Sequence, residues 1–321
     1  MALFLSENDV KQVLTVAMAL EGVESAQRDL ALGQALDTPR ARTRLPQTVL
    51  HILQGGLPAQ GVLGYKAYTS NKSGNRFLVH LFDAASGQFR AIIEADYLGM
   101  IRTGAASGVA ARWLARPDSN VAGVFGAGWQ AEGHVRALCA ALPLERVKVF
   151  SRKADKLAAF CERLSLQTGV SVVPAASAED CVRGSDVIGT VTTAAQPLFD
   201  ADWLEPGTHI NAAGSNALIR QELSEVTLRR CDLVTVDAVP TALAEAGDLL
   251  PLLEKGRLHA RQLVELGEVI IGRHPGRTTP EQITLFESQG MAIQDLAVAV
   301  RVLAAAEARG LGQALPFGCG G

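Results

Sequence analysis

The spacing of hydrophobic positions changes twice in the first third of the chain. Ser6 and Asp9 form a helix-capping pair, and helical spacing follows them. Over residues 40–95 the spacing becomes that of β-strands, with a Gly-containing turn between the last two. Helical spacing returns over residues 97–115 and ends at the turn-forming segment Arg116–Ser119. The pattern predicts a helical start, an antiparallel region, a further helix and a domain boundary after residue 116.

The second half of the chain alternates short apolar runs with helical segments. The runs are spaced about 20 to 30 residues apart, as in a sheet whose strands are connected by helices. They lie at 121–127, 147–152, 170–175, 185–192, 209–215 and 232–238. This order is typical of an α/β fold with a doubly wound parallel sheet, the Rossmann type, and predicts such a domain over residues 117–295. We expect the C-terminal helix and tail, residues 296–321, to join the first domain, residues 1–116.

The composition indicates a globular protein and argues against several partners. With 321 residues, 48% of them hydrophobic and 20% charged, the chain is long enough for two domains with separate cores. A net charge of -3 and a pI near 6.1 do not favour nucleic acid or an anionic membrane. The N-terminal segment lacks a basic leader, and no apolar run approaches the ~20 residues of a membrane span. We expect a cytoplasmic protein that binds neither nucleic acid nor membrane.

The cysteines and histidines do not indicate a metal site. Five cysteines, at 139, 161, 181, 231 and 319, form no CxxC pair, and the six histidines form no HExxH motif. We therefore expect reduced thiols and no bound metal.

A dinucleotide-binding turn is predicted after the first apolar run of the second half. Its residues, in a GxGxxA pattern, are Gly126, Ala127, Gly128, Trp129, Gln130 and Ala131. Small residues permit a tight turn and let a pyrophosphate approach the free N–H groups of the following helix. A purely structural glycine turn is the alternative, but the strand before it and the helix after it favour a nicotinamide cofactor.

The end of the next apolar run indicates which nicotinamide cofactor is bound. An NAD-preferring domain usually places Asp or Glu there for the ribose hydroxyls, whereas this chain has Ser151, Arg152 and Lys153. Arg152 can pair with a 2'-phosphate, and Ser151 can donate a hydrogen bond to it. The alternative is a solvated basic start of a helix. The sequence predicts NADPH, with NADH as the less favoured cofactor.

Nine segments in the same order resemble the ornithine cyclodeaminase and mu-crystallin family, which includes ketimine reductases and alanine dehydrogenases. They are RTRLP at 42–46, GYK at 64–66, IRTGAASG at 101–108, GAGWQA at 126–131, SDVIGTVT at 185–192, HINAAGS at 209–215, EAGDL at 245–249, ELGEVIIG at 265–272 and TLFESQGMAIQD at 284–295. The resemblance implies a Rossmann domain, an α+β substrate-binding domain whose sheet joins that of a second subunit, and hence a homodimer.

The resemblance also implies residues that bind the substrate and the cofactor. Arg42, Lys66 and Arg102 match the residues that hold the substrate carboxylate, with Arg40 and Arg44 as alternatives to Arg42. Such a hold would fix the α-carbon of a small imino or amino acid in front of the nicotinamide. Three threonines match positions near the phosphate or the nicotinamide, namely Thr103, Thr190 and Thr192.

Lys66 is also notable by itself, because it lies in an apolar stretch. A buried, unpaired lysine is costly, so it is either functional or a lysine whose end reaches water. Asp295 either faces the active-site cleft or caps a helix contact, and the acidic residues of EAGDL and ELGEV are expected to be structural.

Two positions depart from the family pattern. Where cyclodeaminases carry Asp in a GxD triplet, this chain has Asn216, which cannot accept a proton as a carboxylate does. Asn216 either orients an imine nitrogen or the cofactor amide, or caps a turn. Where cyclodeaminases carry Glu, this chain has His51, which either delivers a proton to an imine or is a satisfied core residue. The catalytic candidates are therefore Lys66, His51 and Asn216.

The combined pattern predicts an NAD(P)H-dependent oxidoreductase acting on C–N bonds. The favoured reaction is reduction of a cyclic ketimine carboxylate, pyrroline- or piperideine-2-carboxylate, to the cyclic amino acid. Three alternatives remain open: an amino-acid dehydrogenase of the alanine type, an ornithine cyclodeaminase, and a non-catalytic mu-crystallin-like protein that binds NADPH and a small ligand.

Overall fold

The computed structural model describes residues 2–72 and 74–316, with the backbone alone at Ala154. The chain divides into two compact units. The first unit consists of residues 2–102 and 290–316 of the described part, and the second of residues 103–289. Residues 317–321, with Cys319 and the end of the predicted tail, lie outside the described residues.

The unit boundaries differ from the sequence-based boundaries after residues 116 and 295. The first boundary between the units lies after Arg102, inside the helix Asp96–Leu114, which continues there without interruption. The turn at Arg116–Ser119 therefore marks the end of a helix and not a change of unit. The second boundary, after Gln289, lies before the last helix begins. A turn signal in a sequence reports where an element ends, and it does not report which core the element packs on.

The strands and helices are bounded as follows. The strands are β1 (Leu3–Leu5), β2 (Leu36–Arg44), β3 (Val49–Leu57), β4 (Val62–Asn71), β5 (Gly74–Asp83), β6 (Phe89–Glu94), β7 (Val121–Phe125), β8 (Arg146–Phe150), β9 (Ser171–Pro174), β10 (Val187–Thr190), β11 (His209–Ala212), β12 (Leu233–Val236), β13 (Leu263–Glu265), β14 (Thr284–Glu287) and β15 (Gln313–Ala314). The helices are α1 (Glu7–Val13), α2 (Val16–Ala31), α3 (Asp96–Leu114), α4 (Trp129–Ala141), α5 (Leu157–Thr168), α6 (Ala178–Val182), α7 (Glu225–Arg230), α8 (Val239–Glu245), α9 (Leu250–Glu254), α10 (Leu266–Ile270) and α11 (Ala292–Ala308). Short 3-10 helices lie at Pro58–Gln60, Ala154–Lys156, Ala201–Trp203 and Ala260–Gln262.

The first unit is built on a seven-stranded sheet with the order β15-β1-β6-β5-β4-β3-β2. Strands β2 to β6 form an antiparallel meander, and β1 is parallel to β6. The chain starts with β1 rather than with a helix, but the Ser6–Asp9 capping box begins α1 as the sequence predicts. The helix α11 packs on β3 and β4 and against α2.

Glycines on two strands let α11 approach this sheet closely. A Cβ on Gly55 of β3 would lie 2.8 Å from Ile293 Cγ2, and one on Gly64 of β4 would lie 3.1 Å from Leu296 Cδ2. A Cβ would also lie 2.7 Å from the Leu36 carbonyl oxygen at Gly55 and 2.1 Å from the His80 carbonyl oxygen at Gly64, so a larger residue at either position would distort the sheet beneath α11. The close approach sets the position of Asp295, which lies between these two helix residues in the sequence.

The second unit is an α/β fold around an eight-stranded, wholly parallel sheet. Its order is β13-β12-β14-β11-β10-β7-β8-β9. The predicted Rossmann class is confirmed, and the six predicted strands are present. Two further strands, β13 and β14, were not predicted.

The strand order of the second unit reverses between β7 and β10. In an open α/β sheet, ligands bind outside the carboxyl ends of the strands at such a point. Gly126 follows β7 there, and Thr190 is the last residue of β10. The topology therefore places the predicted cofactor turn at the edge where a dinucleotide is expected.

The cysteines in the described part of the chain are free thiols. Cys139, Cys161, Cys181 and Cys231 are unpaired, and burial raises the pKa of Cys181 to about 12. Within residues 2–72 and 74–316 no three His, Cys, Asp or Glu side chains are grouped to hold a metal. In the same residues no helix has both the length and the apolarity to cross a membrane.

We expect Gly104→Ala to destabilise the protein, because α3 and α4 meet at two glycines. A Cβ on Gly104 would lie 2.2 Å from the Gly133 carbonyl oxygen, so the helices must separate. Overpacking of this kind costs about 1–3 kcal/mol. The free energy of unfolding from urea titration measures this cost. Gly189→Ala is the control, since its Cβ would meet Val124 at an ordinary 3.7 Å. Equal stability of the two variants would contradict the close contact.

Candidate functional site

Three predicted site residues lie on one face of the seven-stranded sheet. Arg42 on β2 is directly opposite His51 on β3, and His51 is opposite Tyr68 on β4. Lys66 precedes Tyr68 by two residues on the same strand, so its side chain points to the same face. The first unit therefore brings together Arg42, His51 and Lys66.

One carboxylate oxygen accepts hydrogen bonds from two of the residues that were predicted to bind the substrate. Lys66 Nζ and Arg102 Nε each donate to Asp295 Oδ1 at 2.9 Å. The Lys66 and Arg102 side chains are 4% and 8% exposed, and that of Asp295 is 0% exposed. Arg102 Nη1 also donates to Gln294 Oε1 at 3.2 Å. Two cations and one anion leave a net positive charge in a place that excludes water.

The structure excludes one alternative that the sequence left open. Lys66 does not reach water, since its ammonium lies under α11 and 5.0 Å from the centroid of the Phe77 ring. Asp295 Oδ1 joins Lys66 to Arg102, and that Asp295 faces the active-site cleft stays a prediction. Its Oδ2 has no hydrogen-bond partner in the described part of the chain.

Burial controls the protonation of Lys66. Desolvation lowers the pKa of Lys66 to about 8, the charge of Asp295 opposes this change, and the charge of Arg102 adds to it. Lys66 is therefore mostly an ammonium at pH 7 and loses its proton only slightly above that pH. A positive charge and a proton that is released near neutral pH are both available at this one atom.

The environment of His51 differs from the expectation of a proton donor near neutral pH. Burial and the charges of Arg42, Arg40 and Arg44 lower the pKa of His51 to about 4. Its imidazole lies 4.2 Å from the Tyr68 ring in a stacked arrangement. Nε2 is 3.0 Å from Ser70 Oγ, and Nδ1 has no partner among the described residues. At pH 7 His51 is thus a neutral imidazole.

The three arginines of β2 occupy different environments. Arg42 is half-buried in the row of His51, whereas Arg44 is exposed near the end of the strand. Arg40 is half-buried beside an irregularity in the pairing between Thr38 and Ala41. The irregularity breaks the simple alternation of faces, which is why spacing alone could not choose among them.

The glycine turn of the second unit leaves the start of α4 open. Gly126 has φ +120°, which favours glycine, and a Cβ there would lie 3.1 Å from the Val191 carbonyl oxygen. Gly128 is the N-cap of α4 and makes no side-chain cap hydrogen bond, and a Cβ there would meet nothing within 4 Å. The space at Gly128 and the N–H groups in the first turn of α4 fit a pyrophosphate.

The predicted phosphate-binding residues lie beside this turn. Gly126 N donates to the Phe150 carbonyl at 2.9 Å, so the segment after β8 is adjacent to the turn. Arg152 and Lys153 are exposed and Ser151 is half-buried, with Ser151 Oγ accepting from Lys153 N at 3.3 Å. Exposed basic residues therefore lie beside the turn that fits a dinucleotide.

The remaining candidates are distributed along the carboxyl edge. Thr190 is buried at the end of β10, and Thr192 Oγ1 accepts from Ala194 N at 3.0 Å, which gives it a local structural role. Asn216 is half-buried in the loop after β11, and Thr103 is half-buried in α3. The sequence did not indicate Glu222, a fully buried carboxylate to which Thr192 N donates at 2.6 Å.

Comparisons with known proteins agree with this architecture. Residues 1–310 match the ornithine cyclodeaminase/mu-crystallin family. The chain is 32% identical over 327 residues to Delta(1)-pyrroline-2-carboxylate reductase of Bacillus cereus, covering 98% of this chain and 100% of that protein. The structure of Thermococcus litoralis Delta(1)-pyrroline-2-carboxylate reductase with NADH and L-proline has a TM-score of 0.93, 29% identity, and coverage of 98% and 100%. An archaeal alanine dehydrogenase dimer with bound NAD has a TM-score of 0.93, 31% identity, and coverage of 99% for both chains.

A glycine turn at the reversal point of a parallel sheet, before an open helix start, defines a dinucleotide-binding protein. The matches are more particular: the chain belongs to the ornithine cyclodeaminase/mu-crystallin family. The predicted family is therefore confirmed. The predicted class of oxidoreductase is confirmed as well, since the similar proteins are named as reductases and a dehydrogenase.

We expect Asp295→Asn to lower the pKa of Lys66 below about 8, because the charge that opposes desolvation is lost. The amide keeps the shape of the side chain. NMR titration of ε-13C-labelled lysine measures the change. Asp118→Asn is the control, since the Asp118 side chain is 81% exposed. An unchanged Lys66 pKa in Asp295→Asn would contradict the role of the ion pair.

Proposed function

We propose that this enzyme reduces the C=N bond of a cyclic ketimine carboxylate with NADPH and forms the cyclic amino acid. The observation that carries the proposal is the sharing of Asp295 Oδ1 by Lys66 and Arg102, which leaves one uncompensated positive charge in a buried site. A buried net charge is costly unless an opposite charge joins it. A substrate carboxylate supplies that charge.

Each cation has a separate task in holding this carboxylate. Arg102 is restrained by Gln294 and Asp295, so it offers its remaining N–H groups in a fixed direction. Arg42 adds a second guanidinium on the face that carries Lys66. When the carboxylate is held in place, the neighbouring imine carbon is held as well. Positioning a reactant in this way lowers the barrier to the reaction.

The proton for the imine nitrogen comes from Lys66 in this proposal. Its pKa of about 8 keeps the proton on Nζ at pH 7 and makes its transfer inexpensive. His51, with a pKa of about 4, is neutral and contributes an N–H group or orients water. Asn216 contributes an amide that can orient the imine nitrogen or the cofactor, and it cannot act as the base that ammonia release requires.

NADPH, when bound, supplies a hydride to the imine carbon. Gly126 and Gly128 leave room for the pyrophosphate, and the N–H groups at the start of α4 attract it. Ser151, Arg152 and Lys153 favour a 2'-phosphate, in place of the acidic residue that suits NAD. The similar structures are named with NADH or NAD, so the preference for NADPH rests on these three residues.

An amino-acid dehydrogenase is the second candidate, because an alanine dehydrogenase is as similar in fold as the pyrroline-2-carboxylate reductase. The same carboxylate site would hold a 2-oxo acid that has condensed with ammonia. Ornithine cyclodeamination is disfavoured by the amide at Asn216. A non-catalytic binding role remains as the outcome in which NADPH binds and no imine is reduced.

We expect pyrroline- and piperideine-2-carboxylate to oxidise NADPH without ammonium, as measured by absorbance. Since Lys66 must be protonated, kcat/KM should fall as the pH rises through about 8. Turnover of 2-oxo acids only when ammonium is present would favour the dehydrogenase. Tight NADPH binding without any turnover would favour the binding protein.

We expect Arg152→Ala to raise the KM for NADPH and to leave that for NADH nearly unchanged. A lost charge-assisted hydrogen bond of about 1.5–3 kcal/mol corresponds to about a 10- to 100-fold change. Steady-state kinetics with each cofactor measures the two KM values. Arg146→Ala, at the opposite end of the same strand, is the control. Parallel losses with both cofactors would contradict recognition of the 2'-phosphate.

We further propose a homodimer formed through the outer face of the seven-stranded sheet. On this face, opposite to that of Lys66, Leu50 and Leu63 are 37% and 42% exposed, and Tyr65 stacks on His80 at 4.5 Å. A partly exposed apolar sheet face favours a second copy. The archaeal alanine dehydrogenase of the same fold is named as a dimer.

We expect light scattering to give twice the chain mass of 33.9 kDa and Leu63→Asp to give the monomer. A charge on the apolar face would have to be buried in the dimer. Leu166→Asp on α5, where the leucine is 83% exposed, is the control and should leave the dimer intact. A monomeric wild type would refute this assembly.

A further inference from the structure

Three carboxyl side chains are buried together in the second unit, apart from the cations described above. Glu287 is the last residue of β14, and Asp248 and Glu222 lie in loops beside it. Glu287 and Glu222 are 0% exposed and Asp248 is 1% exposed. The charges of Asp248 and Glu222 both act on Glu287. Burial of three negative charges beside one another would strongly destabilise the folded state.

Hydrogen bonds compensate only part of this charge. Glu222 accepts from Thr192 N at 2.6 Å and from Gly214 N at 2.8 Å, one bond for each carboxylate oxygen. Asp248 Oδ1 accepts from Glu222 N at 2.7 Å and from Leu223 N at 3.1 Å. Glu222 is thus the one member of the three that has a donor from the described residues on each carboxylate oxygen, although burial raises its pKa as well.

Two oxygens of the cluster have no donor. Glu287 Oε1 accepts from Ser215 Oγ and, at 2.9 Å, from Gln289 Nε2. Glu287 Oε2 and Asp248 Oδ2 are buried and have no hydrogen-bond partner in the described part of the chain. A bare carboxylate oxygen in an apolar interior costs far more than a protonated one.

A proton satisfies these oxygens better than a metal does. Within the described ranges no three His, Cys, Asp or Glu side chains have an arrangement that would hold a metal. Burial, and next the charge of Asp248, raise the pKa of Glu287 well above its usual range, and burial raises the pKa of Asp248 to about 6. Asp237 lies nearby but is satisfied by Ser288 Oγ at 3.0 Å and Gln289 N at 2.7 Å.

The cluster is tied to the loop that carries Asn216. Ala213 N donates to the Thr190 carbonyl at 2.9 Å, and Gly214 N donates to Glu222. Ser215 is held on both sides, by Glu287 at its hydroxyl and by Gly247 N, which donates to its carbonyl at 2.8 Å. Asn216 is the next residue, so the direction of its amide depends on these attachments.

We propose that Glu287 and Asp248 retain one shared proton at neutral pH and act as positioning residues, which hold the loop 213–216 and hence the amide of Asn216. Glu287 is the neutral acid of the pair and Asp248 the anion. The effect on catalysis rests on the proposed function, because it assumes a role for Asn216. The shared proton itself does not rest on that function.

The proton has a consequence for stability that can be measured without substrate. The native state keeps a proton that the unfolded chain has released above the usual pKa of 4.5 for glutamate. Because the native state then binds more protons, the contribution of Glu287 to stability is fully present below the usual pKa of 4.5 and is lost as the pH rises through the raised pKa.

The test compares Glu287→Gln, which is neutral at every pH, with the wild type and with Glu162→Gln at an exposed position of α5. The Tm of the ligand-free protein is measured from pH 5 to 9. We expect the decline of Tm with pH to be smaller in Glu287→Gln than in the other two proteins. Equal slopes in all three would overturn the shared proton.

Infrared difference spectroscopy between pH 5 and pH 9 keeps the proposal testable even if Glu287→Gln folds poorly. The wild type should show a protonated carboxyl band that persists at pH 7 in D2O and is absent from Glu287→Gln. Absence of this band from the wild type would overturn the proposal. So would a Tm that rises with Na+, K+ or Mg2+ in the wild type alone, because a cation would then occupy the cluster.

The positioning role is tested separately by kinetics. Glu287→Ala should lower kcat for ketimine reduction about 10- to 100-fold, the loss that a small misplacement of a reacting group produces. The Kd for NADPH from fluorescence should stay unchanged, and Glu287→Gln should recover most of kcat. Unchanged kcat in Glu287→Ala, with normal turnover of the wild type, would overturn the positioning role and leave the proposed function intact.

Discussion

The ammonium of Lys66 can be buried only because Asp295 provides a carboxylate that Arg102 also contacts. Removing one partner from a buried ion pair leaves an uncompensated charge, which costs about 3–5 kcal/mol. The position of Asp295 depends in turn on the close approach of α11 to the sheet, which Gly55 and Gly64 allow. Backbone packing and site electrostatics are therefore one constraint, and a larger residue under α11 would alter the charge at Lys66 as well as the packing.

The two units neutralise buried charge by different means. In the first unit two cations surround one carboxylate, and the excess positive charge is left for a ligand. In the second unit Glu222 and Asp248 accept from backbone N–H groups, and Glu287 accepts from the side chains of Ser215 and Gln289. Glu287 and Asp248, as we propose, also share a proton. In the function that we propose, an anionic substrate completes the first arrangement, whereas the second is complete before any ligand arrives. Such a division suits a protein whose cofactor-binding edge is rigid before the cofactor binds and whose proposed substrate site attracts an anion.

Local signals were sufficient for the parts of the protein that local physics determines. The glycine turn, the capping box of α1 and six of the eight strands of the parallel sheet follow from residues that are near in sequence. The partner of Lys66 could not be found in this way, because Asp295 is 229 residues distant. The neutral state of His51 was also missed. The pKa of His51 is lowered by burial first and next by the arginines that the pairing of β2 with β3 brings beside the imidazole, and neither can be found from residues near in sequence.

The ion pair of Lys66 also bears on the chemical durability of the enzyme. Cyclic ketimines open in water to amino ketones, and an unprotonated lysine amine condenses with such carbonyl compounds. Without Asp295, desolvation and the charge of Arg102 would release the Lys66 proton at a lower pH and make the amine nucleophilic. By keeping the nitrogen as an ammonium, Asp295 withdraws its lone pair from this side reaction. The carboxylate that orients the site thus also shields it from the hydrolysis product of the proposed substrate.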